Sequence, residues 1–399
     1  MKAEVLQRLL SLLRPNAAWY AALAAGLLTL IGVEAIRTVE PGYAAIQWQR
    51  WVPVAVLAMV IAALPHPKVV GWLSWPAAAG VLILLVYLLI PGVPFVPRIN
   101  GATSWIATPV MRVQPAEAAK LAFVLSVAWY LRYRDSYRTL WGLLIPFGIM
   151  LVPVGLILKQ PDLGSALLFG PTLFAMLIAA GARLWHIFSL LGLGAAAVAI
   201  VVAICLFAPP ELQVLRPHQQ ARIVSMVSLA SGDTSSVNDE GFQQDTAMTL
   251  IGAGGVAGNG AERASVLVRY NYLPHDHNDM VFAVVVNRWG LLGAWAVLGL
   301  YGVFVGGLLI VAARSKDPFT RLACVGFAAL TFTQASINVG MHVGLLPITG
   351  ITLPFVSYGG SSLVVSFVMV GLALSFGAAR PKPMARPSFE FDHADAIFQ

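Results

Sequence analysis

Charge is scarce in this chain. Of its 399 residues, 25 are Lys or Arg and 18 are Asp or Glu, together 11%, whereas 58% are hydrophobic. Soluble domains carry about 25% charged residues, so 43 charged side chains cannot cover a water-soluble fold of this length. A soluble protein is therefore excluded. About ten segments of about 20 apolar residues, the length that crosses a bilayer core, fit into the chain. The composition predicts an all-α polytopic membrane protein with about ten transmembrane helices.

Cysteine is equally scarce. The chain contains only Cys205 and Cys324, and both lie inside apolar runs. A thiol in such surroundings behaves as a small hydrophobic group. We therefore predict two unpaired cysteines that face the protein core or the lipid, which excludes a fold held together by disulfides.

Acidic residues are outnumbered, and the formal net charge is +7. Basic residues gather in short segments between apolar runs, at every second connection. By the positive-inside rule, these connections and both termini are cytoplasmic. The basic excess thus indicates membrane topology and predicts no nucleic-acid partner. Fourteen basic residues form these segments: Lys2, Arg8, Arg14, Lys68, Arg132, Arg134, Arg138, Arg183, Arg314, Lys316, Arg321, Arg380, Lys382 and Arg386.

The apolar runs predict the domain organisation. Residues 1–16 place leucines at helical spacing opposite Arg8 and Arg14, which predicts a short interfacial helix. Residues 17–378 form a ten-span membrane domain, and residues 379–399 form a disordered cytoplasmic tail. The ten runs are 17–36, 46–65, 69–91, 115–131, 140–158, 163–181, 186–208, 280–312, 322–343 and 362–378.

Two connections depart from this rhythm. Residues 209–279 form a large polar loop, which alternation places on the extracellular side between spans seven and eight. Its five glycines between 252 and 260 favour close backbone packing or a re-entrant turn over a solvated tail. Residues 344–362 are rich in Gly, Pro and Ser. They predict a re-entrant or extracellular segment that is buried in protein or lines a cavity.

Ionisable residues in or beside apolar runs are costly, and they are therefore candidates for a functional site. Glu34 lies within the first span. Glu117 and Lys120 are three residues apart, so they share one helix face and can pair there, either as a structural ion pair or as substrate ligands. Asp162 follows Pro161 on an extracellular turn, where it either caps the sixth span or contacts substrate.

The densest outward polar cluster is PHDHND at 274–279. Its two histidines and two aspartates could hold a divalent cation such as Mg²⁺ or Mn²⁺, with Asp279 and His277 as ligands. Alternatively, Asp279 or Asn278 caps the next helix. Earlier in the same loop, Arg222 and the neighbouring Gln219 could receive an anionic headgroup or a pyrophosphate, because guanidinium matches phosphate oxygens with paired donors. The alternative for Arg222 is a solvated loop charge.

Six motifs occur in order along the chain. They are NGATSWI at 100–106, QPAEAAKLA at 114–122, QPDLGSA at 160–166, RPHQQARI at 216–223, HNDMVFAVV at 277–285 and NVGMHVGLLPITGITLPFVSYGGSS at 338–362. Together they resemble the shape, elongation, division and sporulation family, whose best-known members are RodA and FtsW. The Gly340-Met341 pair after Asn338-Val339 favours the RodA branch.

The resemblance implies a peptidoglycan glycosyltransferase that polymerises lipid II at the outer face of the bacterial cytoplasmic membrane. It does so by inverting displacement of polyprenyl pyrophosphate, during cell-wall elongation or division. The implied partners are lipid II, membrane lipid and a class B penicillin-binding protein that supplies transpeptidase activity. Asp279 matches the family's catalytic aspartate. Matching or neighbouring motif positions predict substrate contacts at Glu117, Lys120, Asp162, Arg222, Gln219, His277, Asn278, Ser357, Tyr358, Gly359 and Gly360.

The chain departs from the family pattern at a few positions. The family usually has Thr at position 278 and Glu at positions 287 and 288. This chain has Asn278, Asn287 and Arg288 there, and Arg288 inverts the local charge. Arg or Lys is usual at 103 or 104, and Gln-Ser at 246–247. Two other functions use the same scaffold: a lipid II flippase, and a non-catalytic scaffold for the penicillin-binding protein.

Overall fold

The computed structural model describes residues 12, 15–97, 103–108, 112–207, 220, 224, 239–273 and 277–379. Within these residues the chain is mostly helical, and its only strands form one two-stranded antiparallel ribbon. The first half comprises α1 (Ala18–Val39), α2 (Pro41–Ile46), a π-helical turn (Gln47–Trp51), α3 (Val52–Ala63), α4 (Pro67–Tyr87), β1 (Ile106–Ala107), β2 (Arg112–Val113), α5 (Pro115–Leu131), short 3-10 turns at Ser136–Arg138 and Trp141–Leu143, and α6 (Leu144–Lys159). The second half comprises α7 (Leu163–Leu167), α8 (Phe169–Ala180), α9 (Leu184–Phe207), α10 (Asp239–Gly254), α11 (Gly260–Tyr270), α12 (Val281–Arg314), α13 (Pro318–His342) and α14 (Gly360–Ala378).

The all-α polytopic fold is confirmed. In the described part of the chain, nine helices or joined helices are long and apolar enough to cross a membrane. Helix α5, with 17 residues, is slightly shorter than these nine and carries the buried Glu117 and Lys120. Counting α5 as a span gives the ten that the sequence predicts, and that number stays a prediction. The proposed N-terminal interfacial helix and C-terminal tail lie almost wholly outside the described residues.

Small residues allow the helices to approach closely. Helix α1 packs against α12, and α3 packs against α14. A Cβ added at Gly307 of α12 would lie 3.0 Å from the backbone of Ala17 and of Ala21. A Cβ added at Gly371 of α14 would lie 2.1 Å from the carbonyl oxygen of Met59. The hydrophobic effect does not drive helices together within lipid, so close van der Waals packing of this kind stabilises the bundle instead.

Helix α12 consists of two helical segments joined by a kink at Gly290, where φ is +67° and ψ is −161°. Only glycine adopts this backbone conformation readily. A straight helix of 34 residues would be about 51 Å long, well beyond the roughly 30 Å hydrocarbon core. Because of the kink, the first turns of α12 run in a different direction from the transmembrane span that follows.

The kink receives the glycine-rich turn between α10 and α11. The amides of Leu291 and Leu292 donate to the carbonyl oxygens of Gly255 and Val256, at 2.9 and 3.3 Å. A Cβ at Gly258 would lie 2.2 Å from the carbonyl oxygen of Arg288. The close backbone packing predicted from these glycines is present. These contacts hold the glycine-rich turn of the long loop against α12.

We predict that Gly290→Val lowers the free energy of unfolding by about 3 kcal/mol. The new side chain would be strained at this φ, and its Cβ would lie 2.3 Å from the carbonyl oxygen of Val256. Thermal denaturation of the purified protein in detergent measures the effect. Gly299→Ala is the matched control on the same helix, because its Cβ would meet no atom within 4 Å. Equal midpoints for the two variants would contradict the prediction.

The 344–359 segment connects α13 to α14 without regular structure, yet only three of its 16 residues are exposed, and residues 353–357 are all buried. Side chains from other elements bind its carbonyl oxygens: Asn338 binds that of Ile351, Gln334 that of Thr352, Tyr301 that of Pro354 and Gln47 that of Ser357. Non-helical backbone at membrane depth requires partners of this kind. The four carbonyl oxygens named above have such partners, and the re-entrant or extracellular position of the segment stays a prediction.

Candidate functional site

The candidate site lies where one set of helix ends meets the 344–359 segment. The first turns of α5, α7, α12 and α14 and the last turns of α13 converge there. Asp279 stands two residues before α12 and is half-buried. Its carbonyl oxygen accepts a 3.0 Å hydrogen bond from Nδ2 of Asn338, which holds its backbone against α13. Gly350 lies beside the carboxylate, since a Cβ there would be 3.7 Å from Oδ2.

The predicted pairing of Glu117 with Lys120 is present. Nζ of Lys120 lies 2.8 Å from Oε2 of Glu117, and the two side chains are 3% and 9% exposed. Nζ also donates to Oε1 of Gln334, at 3.3 Å. An ion pair this deeply buried requires further hydrogen bonds to offset desolvation, and Gln334 supplies one. The ammonium of Lys120 is thus held between α5 and α13.

Asp162 caps α7, one of the two local roles predicted for it. Its Oδ1 accepts from the backbone amide of Ser165 at 2.9 Å, and its Oδ2 accepts from the Ser165 hydroxyl at 2.8 Å. Nε2 of Gln114 donates to the same Oδ2 at 3.0 Å. Three donors therefore occupy this carboxylate and join the start of α7 to the residue before α5. A substrate contact by Asp162 stays a prediction.

His277 belongs to an aromatic cluster beside Asp279. Its ring stacks on Tyr43, with centroids 4.3 Å apart and planes 9° from parallel, and Tyr358 meets both rings edge-on. The Tyr358 amide donates to the His277 carbonyl oxygen at 2.8 Å. The cluster joins the residues just before α12 to the start of α14 and to the connection between α1 and α3. Asn278 is half-buried next to it.

The SYGG residues have separate environments. Ser357 is 5% exposed, and its hydroxyl accepts from the amide of Leu353 at 2.7 Å, inside its own turn. Gly360 begins α14 against the Trp51 ring, which a Cβ would approach to 2.4 Å. Tyr358 and Gly359 are half-buried, and Tyr358 contacts His277. Packing explains Ser357 and Gly360, and substrate contact at these four positions stays a prediction.

Gln219 and Arg222 lie outside the described residues. The divalent-cation hypothesis is only partly open to inspection for the same reason, since His275 and Asp276 also lie outside them. Among the described residues, no group of three or more His, Cys, Asp or Glu side chains could hold a metal ion. A divalent cation at Asp279 and His277 therefore stays a prediction.

Asn287 and Arg288, at positions where Glu is usual, both form polar contacts in this chain. Asn287 is fully buried and donates to the carbonyl oxygen of Leu250 at 2.8 Å. Arg288 lies 3.5 Å from Oε2 of Glu34 and donates to the Thr38 hydroxyl at 2.7 Å. Glu34, the acidic residue of the first span, therefore compensates the inverted charge.

We predict that Arg288→Glu destabilises the protein more than Arg288→Gln does. Gln removes the ion pair, which is worth about 0.5–1 kcal/mol because Glu34 is 41% exposed, whereas Glu also places two carboxylates together. Denaturation midpoints in detergent at low salt measure both effects. Adding Glu34→Gln to the Arg288→Glu variant should recover part of the loss. No recovery would show that Glu34 and Arg288 do not interact.

Two apolar cavities lie on the flanks of the bundle. The larger, of about 580 Å³, is lined by α4, α5 and α6, and the smaller, of about 390 Å³, by α12, α13 and Leu345. From the 344–362 segment only Leu345 takes part in lining them. The segment therefore contributes little to the lining of these cavities.

Four residues of the site were missed as individual residues in the sequence: Tyr43, Gln114, Gln334 and Asn338. Gln114 and Asn338 lie inside quoted motifs, but no role was predicted for them. The available signal was the spacing of Gln334 and Asn338, four residues apart in an apolar helix, which puts two costly amides on one face. Tyr43 offered no comparable signal.

The fold and the site together define a polytopic helical membrane protein with a buried polar centre at one end of its bundle. The sequence profile of the family described as cell cycle proteins, which comprises FtsW, RodA and SpoVE, matches residues 16–380. The chain therefore belongs to the FtsW/RodA/SpoVE family, as the six motifs predicted.

Individual relatives agree with this assignment. The chain is 34% identical over 328 residues to a protein of Halomonas elongata named probable peptidoglycan glycosyltransferase FtsW, which covers 80% of this chain and 77% of that protein. A solved complex, described as structural coordination of polymerization and crosslinking by a peptidoglycan synthase complex, contains a chain 28% identical to this one. Its TM-score is 0.74, over 89% of this chain and 96% of that one. The rod shape determining protein RodA of Thermus thermophilus is 26% identical, with a TM-score of 0.65 over 90% and 95% of the two chains. With both names among these relatives, the RodA branch stays a prediction.

Proposed function

We propose that this chain is a peptidoglycan glycosyltransferase that polymerises lipid II into glycan strands. Its membership of the FtsW/RodA/SpoVE family and its 34% identity to a relative with that enzymatic name support the activity. One structural observation carries the assignment of the site. The backbone of the half-buried Asp279 is bound by Asn338, and the ammonium of the buried Lys120 is bound by Gln334. The same two amides bind the adjacent carbonyl oxygens of residues 351 and 352.

The reaction is a displacement at an anomeric carbon. A hydroxyl oxygen of one lipid-linked sugar forms the new glycosidic bond, and the bond from that carbon to polyprenyl pyrophosphate breaks with its electron pair leaving on the phosphate oxygen. The hydroxyl loses its proton to a general base on the acceptor side. Asp279 is the proposed base. Its backbone is anchored by Asn338, and Gly350 leaves open space beside its carboxylate.

The leaving group carries negative charge that must be stabilised. Lys120 and Arg222 are the proposed sources of positive charge on that side. Glu117 orients Lys120 through the 2.8 Å ion pair. Gln219, His277, Asn278 and the SYGG residues are proposed to contact the sugars or the lipid chain around these charges.

The site is proposed to face the outer side of the bacterial cytoplasmic membrane. Basic residues at alternate connections support cytoplasmic termini, which puts residues 209–279 and the site outside. A class B penicillin-binding protein is the proposed partner, because a homologous chain was solved in a peptidoglycan synthase complex. The identity of the partner would determine whether the pair serves elongation or division.

The test uses the purified chain with its partner and lipid II in detergent. Glycan strands on a gel, absent when the partner is supplied alone, are the expected result. Transfer of lipid II across a vesicle membrane without any polymer would identify a flippase instead. Partner recruitment with neither polymer nor transfer would identify a scaffold. Either of these two outcomes would overturn the proposed function.

A further inference from the structure

Two buried amide side chains occupy one face of α13 behind the site. Gln334 is 5% exposed and Asn338 is fully buried. They lie four residues apart, so they are stacked one helical turn from each other. Amides in a membrane-spanning helix are unfavourable unless their polar atoms are bonded. Each of these two makes more than one hydrogen bond across to other elements.

Their partners are the ammonium of Lys120, the backbone carbonyl oxygen of Asp279 and one short stretch of backbone. Gln334 accepts from Nζ of Lys120 at 3.3 Å and donates to the carbonyl oxygen of Thr352 at 2.9 Å. Asn338 donates to the carbonyl oxygens of Ile351 at 2.7 Å and of Asp279 at 3.0 Å. Side chains on consecutive turns of α13 thus form hydrogen bonds to consecutive carbonyl oxygens of the 344–359 segment. We call this pair of amides and their hydrogen bonds the clamp.

We propose that Gln334 and Asn338 are positioning residues that fix the distance between Asp279 and Lys120. Because both amides stand on one helix, the backbone that carries Asp279 and the ammonium of Lys120 are held by the same element. Displacements of about 1 Å at a reacting centre cost about 10²-fold in rate, so such a clamp has a large effect without touching substrate. The proposal rests on the proposed glycosyltransferase function and adds to it a device that sets its geometry.

The two amides offer variants that separate their bonds. Asn338→Ala removes both donations, to Ile351 and to Asp279. Gln334→Glu keeps an acceptor for Lys120 and loses the donor to Thr352. Thr331→Val is the matched control: Thr331 is buried one turn earlier on α13, and within the described part of the chain its hydroxyl oxygen has no hydrogen-bond partner. The isosteric valine leaves the clamp intact.

The experiment measures kcat and KM for lipid II with the purified complex, together with the denaturation midpoint of each variant. We expect Asn338→Ala to lower kcat about 10²-fold with KM nearly unchanged. Gln334→Glu should lower kcat about 10-fold, and Thr331→Val should leave it unchanged. In the Asp279→Asn background, Asn338→Ala should change the remaining rate by less than about twofold, because a positioning residue has no effect once the group it positions is gone.

Several outcomes would overturn the positioning role. In the Asp279→Asn background, a further 10²-fold loss caused by Asn338→Ala would indicate a general structural effect. A loss of rate that follows the loss of folded protein would do the same. If Asn338→Ala does not fold, Gln334→Glu decides: wild-type kcat in that folded variant contradicts the proposal. A wild-type complex that makes no polymer would instead refute the proposed function itself, which keeps the two failures distinct.

Discussion

Asp279→Asn is expected to reduce the rate of lipid II polymerisation by about 10²–10⁴-fold, the usual contribution of a general base. Asparagine keeps the size and shape of the side chain and removes its basicity. The hydrogen bond from Asn338 goes to the backbone carbonyl oxygen of residue 279, so the substitution does not remove it. The variant should therefore fold, bind its partner and denature close to the wild-type midpoint.

The measurement is the initial rate of glycan formation by the purified complex. Glu262→Gln provides a matched control, because it neutralises an exposed carboxylate on α11 in the same long connection. Its rate should equal that of the wild type. If Asp279→Asn polymerises lipid II at nearly the wild-type rate, Asp279 is not the base.

Lys120→Met is expected to have the second large effect, on folding and activity together. The substitution leaves the carboxylate of Glu117 buried without its cation, which costs about 3–5 kcal/mol. It also removes the donor to Gln334. Thermal denaturation in detergent and the yield of folded protein measure the loss of stability, and glycan formation measures the loss of activity.

The exchanged pair, Glu117→Lys with Lys120→Glu, separates a structural role from a catalytic one. It restores opposite charges on the same helix face, so most of the lost stability should return. Polymerisation should not return, because the positive charge has moved by almost one helical turn. Recovery of activity together with folding would show that the pair is structural only.

The fold was largely predictable because apolar runs and basic connections are dictated by the bilayer. The helix from Pro115 to Leu131 matches the predicted run, and the Glu117–Lys120 pair follows from helical spacing alone. The kink at Gly290 was not predictable in the same way. Residues 280–312 read as a single apolar run, and the kink depends on a turn more than thirty residues earlier that packs into it.

The site was predictable only in part, for a similar reason. Motifs identified Asp279 and the residues of the SYGG turn, and local sequence identified the Asp162 cap. Long-range contacts were invisible, such as the Tyr43 ring on His277 or the donation from Gln114 to Asp162. The sequence also could not reveal that Glu34 and Arg288, more than 250 residues apart, form a pair.

The 344–359 segment has a consequence for how the protein is made. Its hydrogen-bonding partners Gln47, Tyr301, Gln334 and Asn338 all precede it in the chain, so each is synthesised and delivered to the membrane before it. Until the segment arrives, those polar groups lack the carbonyls they bind in the finished protein. The active centre is therefore assembled last. A chain that stops before residue 344 would already contain Gln47, Tyr301, Gln334 and Asn338 but none of the carbonyl oxygens that they bind.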